Sequence, residues 1–65
     1  MKKGYEIVEG RSGRISNVAV ARDVDGFHQA VEDKNADPSE PFYVVELVQN
    51  GNVRLSLLWR DGRWQ

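Results

Sequence analysis

His28, Glu32 and Asp25 are the residues whose types and spacing come nearest to chemistry. A histidine and a carboxylate four residues apart share one side of a helix, and Asp25, three residues earlier, would add a third metal donor. The chain has one histidine and no cysteine, so a stable zinc site lacks its four good ligands. A solvated acidic helix face accounts for the same residues. For nucleophilic catalysis, Ser12, Ser16, Ser39 and Ser56 have no neighbours in sequence that would activate a hydroxyl, and His28 adjoins Phe27 at the edge of an apolar stripe. The segment GRSGR lacks the lysine and Ser/Thr of a phosphate-binding loop and joins two strand-like runs. The expectation is a non-enzymatic protein with no metal, cofactor or small-molecule substrate.

The arginines pose a different question. Arg11 and Arg14 flank one tight-turn sequence, and Arg60 and Arg63 flank another, Asp61-Gly62. Like charges set directly across a hairpin are destabilising, although well-solvated turn tips limit that cost to under ~1 kcal/mol. Arginine outnumbers lysine six to three, and guanidinium is the group suited to bidentate contacts with phosphates or carboxylates. Trp59 and Trp64 could stack on bases, but the strand pattern turns both towards the core.

The elements that must position these groups follow from periodicity. YEIVE and RISNVAVAR flank GRSG, and pairing them across Ser12-Gly13 puts Tyr5 and Ile7 on one face with Val18 and Val20, leaving Ala19 and Ala21 opposite. In DVDGFHQAVEDKN, helical spacing of Val24, Phe27, Ala30 and Val31 predicts a short helix started by aspartates and ended at Asn35 in a left-handed conformation. The two prolines of ADPSEP mark a loop. FYVVELVQNGNVRLSLLWR reads as a hairpin. A three-residue loop, Gln49-Asn50-Gly51, would pair Glu46 with Arg54 on the solvent side and stack Tyr43, Val45, Leu47, Val53, Leu55, Leu57 and Trp59 on the other. The tail would fold back at Asp61-Gly62 with Trp64 beside Trp59.

The order is ββαββ, an α+β class: residues 1–65 form a single small domain, an antiparallel four-stranded sheet with a possible short fifth strand at the C-terminus and one helix packed on one face. At 40% hydrophobic and 29% charged residues, the composition is that of a globular chain. A chain of this length buries only about 60% of its unfolded surface, so association is a natural source of further stability. No apolar run suggests a signal peptide or membrane span, which points to a cytoplasmic protein with no membrane partner. The net charge of -1 conceals a basic first third, an acidic middle and a basic end.

One helix covers one sheet face. The other is expected to display Val8, Ile15, Phe42, Val44, Val48 and Leu58 among Glu6, Glu46, Arg54 and Arg60, more apolar surface than a small monomer normally exposes. The leading expectation is therefore an interaction protein that self-associates as a homodimer or docks on a larger protein. It would use Phe42, Val44, Val48, Leu58, Arg54, Arg60, Arg63, Arg11 and Arg14. The alternative is a nucleic-acid-binding module using the turn arginines on phosphates, against which stands an isoelectric point near 5.7.

Overall fold

The computed structural model describes residues 4–10 and 17–65. Its elements run β1 (Tyr5–Glu9), β2 (Asn17–Ala21), α1 (Val24–Ala36), β3 (Phe42–Gln49), β4 (Asn52–Arg60) and β5 (Arg63–Trp64). The strands form one sheet in the order β1-β2-β3-β4-β5. The ββαββ order is as expected, but the sheet is mixed and five-stranded: β2 and β3 pair in parallel, and every other neighbour is antiparallel. The helix is the reason. A strand-helix-strand crossover returns the chain to the end from which it left, so the strands it joins run the same way.

Helix α1 begins where Asp23, in extended conformation, accepts a 2.7 Å hydrogen bond from the Gly26 amide. This satisfies one of the orphan donors of the first turn. The helix continues through Asn35 to Ala36, one residue past the expected stop, and the Asp37 amide donates to the Asp33 carbonyl at 3.1 Å. Asn35 serves another purpose, its side-chain oxygen accepting from Trp64 Nε1 at 2.7 Å.

Phe27 and Ala30 of the helix pack with Ala19, Ala21, Tyr43, Val45, Leu47 and Trp59 of the sheet. The inner face of β2 is therefore alanine, and Val18 and Val20, expected there, lie on the opposite face. The observed register pairs Tyr5 with Ala21 and Ile7 with Ala19, one residue away from the expected pairing, and a one-residue slip inverts a strand. Close approach explains the choice. Gly26 sits so near Gly4 that an added Cβ would come within 2.6 Å of the Gly4 carbonyl carbon, and a helix held that close leaves room for alanine beneath it.

The β3-β4 hairpin also differs in detail. Asn50 and Gly51 both have positive φ, 54° and 78°, the pattern of a two-residue type I′ turn, not the three-residue loop. Register then shifts between Leu47 and Val48: Val48 opposes Val53 while Leu47 opposes Leu55. Arg54 is the extra residue, a β-bulge. Glu46 therefore faces Ser56 and not Arg54, and Val53 joins Val48 on the outer face. Beyond the bulge, Leu55, Leu57 and Trp59 share the helix side with Leu47, Val45 and Tyr43.

The tail turns at Asp61 and Gly62, again both at positive φ. It sets Trp64 opposite Trp59, with ring centroids 5.0 Å apart in an edge-to-face arrangement. No helix among the described residues is long and apolar enough to cross a membrane.

Candidate interaction surface

Besides the pair Val48–Val53 next to the β3-β4 turn, three rows of side chains cross the sheet on the face opposite the helix. The middle row is Val8–Val18–Val44–Leu58, one residue from each of β1 to β4. On one side of it runs Glu6–Val20–Glu46–Ser56, and on the other Phe42–Arg60–Arg63. The face thus carries an apolar stripe between an acid-bearing row, in which Glu46 is only 6% exposed, and a base-bearing row. Strand pleating produces this directly, because residues two apart on a strand share a face and register aligns them across strands.

Val18, in the centre of the stripe, is only 2% exposed, whereas Val8 at the sheet edge is 40% exposed. Val20, Phe42, Val44, Val48 and Leu58 are half-buried. Among the described residues no element packs over the face, since α1 contacts β1, β2 and β3 from the other side. Arg60 reaches back towards Asp61, with Nε 3.9 Å from Oδ2, a separation at which an exposed pair contributes little. Arg63 is exposed.

Of the residues expected at the surface, Phe42, Val44, Val48, Leu58, Arg60 and Arg63 are brought together on this face. Arg54 is not with them: it is exposed in the bulge, on the stretch of β4 that β5 leaves uncovered. A bulge with a charged side chain is a common way to keep a strand edge from pairing with another chain. Arg11, Arg14 and Ile15 lie outside the described residues. Val18 and Val20 were missed. The signal that would have found them is the alternation Val-Ala-Val-Ala itself, beside a helix whose packing positions are the small Gly26 and Ala30.

A second feature went unread in the sequence. A cavity of about 320 Å³ opens between the C-terminal half of α1 and the sheet, lined by Tyr5, Asn17, Asp33, Lys34, Glu40 and Tyr43 among others. Its polar groups are occupied with one another. Tyr5 donates to Asp33, and Asn17 donates to Glu40 at 3.4 Å. The Lys34 ammonium rests over the Tyr43 ring, 4.6 Å from its centroid, a contact that contributes about 1–2 kcal/mol when desolvated. Burial, then the hydrogen bond to Asp33, pushes the Tyr5 hydroxyl well above its usual range. Burial raises Tyr43 and lowers Lys34, and the nearby Glu40 and Asp37 oppose the latter shift. These contacts tie helix to sheet.

His28 is exposed and meets Phe27 edge-on at 6.2 Å. No group of three His, Cys, Asp or Glu side chains suited to a metal ion occurs among the described residues. No protein-family model, curated protein or solved structure matches the chain.

Proposed function

We propose that this is a non-enzymatic interaction protein whose working surface is the outer sheet face. The observation that carries the reading is the unbroken apolar row Val8–Val18–Val44–Leu58, flanked by Phe42 and Val20, with charged residues in the same flanking rows. A contiguous apolar patch with a polar rim is the usual anatomy of a protein interface, and a chain this small gains stability by burying one. The partner is a second copy or a larger protein, and the protein works in the cytoplasm. Leu58→Glu and Val44→Glu place a charge in the row while leaving the helix-side core untouched. Both variants are expected to keep the wild-type circular dichroism spectrum and to lose association, followed by light scattering and by titration with a partner. Folded variants that associate as the wild type does would refute the reading.

Phosphate binding by the turn arginines is the second reading. It is supported by Arg60 and Arg63 standing as cross-strand neighbours on the outer face, where their charges add. Its mark is affinity for generic DNA or RNA that falls steeply with salt. An absence of binding at low salt removes it.

A further inference from the structure

We infer that the cavity beside the C-terminal half of α1 binds a small zwitterion, a free amino acid with an apolar side chain, its carboxylate held by Lys34 and its ammonium group by Asp37 and Glu40. The site lies on the helix side of the sheet, so the inference stands apart from the outer face.

Lys34 carries it, as the exception among the occupied polar groups of the cavity. The residue is only 4% exposed and lines the cavity. Its ammonium group meets the Tyr43 ring and no oxygen acceptor among the described residues. An ammonium has three donors, and a ring face covers one side of it. Burial pulls the Lys34 pKa below the ordinary lysine value, while Glu40 and Asp37 act in the opposite direction without forming an ion pair with it. A buried charge left in this way is costly until an acceptor reaches it. The open space beside it is where such a group would lie.

The rest of the lining decides the class of ligand. Asp33 is already committed, accepting from the Tyr5 hydroxyl and from Gln29 Nε2. Glu40 accepts one long bond from Asn17, at 3.4 Å, and the Asp37 carboxylate has no partner among the described residues. A simple anion would gain Lys34 but face these two acids, and a simple cation would gain the acids but face Lys34. A zwitterion complements both ends. Ile7 and Ala36 add an apolar wall for its side chain, and about 320 Å³ lies at the small end of ligand pockets.

The test is titration of the isotope-labelled protein with L-alanine, L-leucine and L-phenylalanine, followed by backbone amide shifts. Saturable shifts centred on Tyr5, Asn17 and the segment from Asp33 to Tyr43 are expected. Isoamylamine, which is leucine without its carboxylate, and isocaproate, which is leucine without its ammonium group, are each expected to bind about tenfold or more weakly, the worth of one charge-assisted contact. Lys34→Met keeps an unbranched side chain over Tyr43 and is expected to weaken leucine binding by about tenfold or more. Asp37→Asn/Glu40→Gln, which leaves Lys34 in place, is expected to weaken leucine similarly and not to weaken isocaproate. Isocaproate binding as tightly as leucine would overturn the zwitterion as ligand. Shifts centred elsewhere, or none with any of the three amino acids up to their solubility limits, would overturn the site.

Discussion

The two faces of this one sheet are built from different residues for different neighbours. Beneath the helix, β2 presents Ala19 and Ala21, both fully buried, and the helix answers with Gly26 and Ala30. On the other side the same strand presents Val18 and Val20, and its neighbours add Val8, Val44 and Val48. Small residues let a helix approach closely, whereas β-branched residues suit a pleated surface that another sheet can cover. The contrast teaches that the side of a strand facing its own helix can carry the smaller apolar residues.

The contrast can be broken most sharply at Gly26. Gly26→Ala drives a methyl group into the Gly4 backbone and is expected to cost about 3 kcal/mol, at the upper end of overpacking, read as a fall in urea midpoint. Next comes Ala21→Leu, which overfills the space under the helix at about 2 kcal/mol. Val20→Leu, one position away but on the outer face, is expected to change stability by under ~0.5 kcal/mol at concentrations too low for association. Equal penalties for the two substitutions would mean that the faces are not distinguished in this way.

Trp64→Ala removes the edge-on contact with Trp59 and the bond to Asn35. About 1–2 kcal/mol is expected, with thermal unfolding as the readout. The smallest effect lies at alkaline pH. The Tyr5 hydroxyl titrates near 10 in the unfolded chain and higher in the folded one, so the unfolded state loses its proton first. Stability from this group is fully present below pH 10 and declines as pH rises towards the folded value. Tyr5→Phe is expected to flatten that decline. Lys34 acts in the opposite sense, because its folded value is lowered: it deprotonates first in the folded state, and stability rises with pH up to about 10.5.

Much of this architecture was legible in the sequence. The element order, the Asp23 start of the helix, the Asp61-Gly62 turn and the pairing of Trp59 with Trp64 follow from turn chemistry and periodicity. The face of β2 was not legible from strand pattern alone, because valine and alanine are both apolar and alternation has no sign. The parallel pairing was missed because the helix was read as a cover and not as a crossover. In the β3-β4 hairpin, a three-residue loop and a two-residue turn followed by a bulge place Tyr43 to Leu47 and Leu55 to Trp59 on the same sides. The sides of these residues therefore emerged correctly from the wrong loop, although Leu55 is 52% exposed, and Val53 and the Glu46 pairing revealed the difference. Five apolar residues of the outer face, Val8, Phe42, Val44, Val48 and Leu58, and two of its arginines, Arg60 and Arg63, were placed there from the sequence. The row order that gives the face its polarity depends on cross-strand register, which sequence spacing leaves open.

The central proposal, that the helix side folds the chain and the outer side is a surface for association, is tested most directly by solution mass. Light scattering on wild type and Leu58→Glu across one dilution series, at low and high salt, is the measurement. The account predicts a wild-type mass approaching twice the 7.4 kDa of one chain and a folded Leu58→Glu variant that remains at the single-chain value. Two folded proteins of identical mass at every concentration would contradict it.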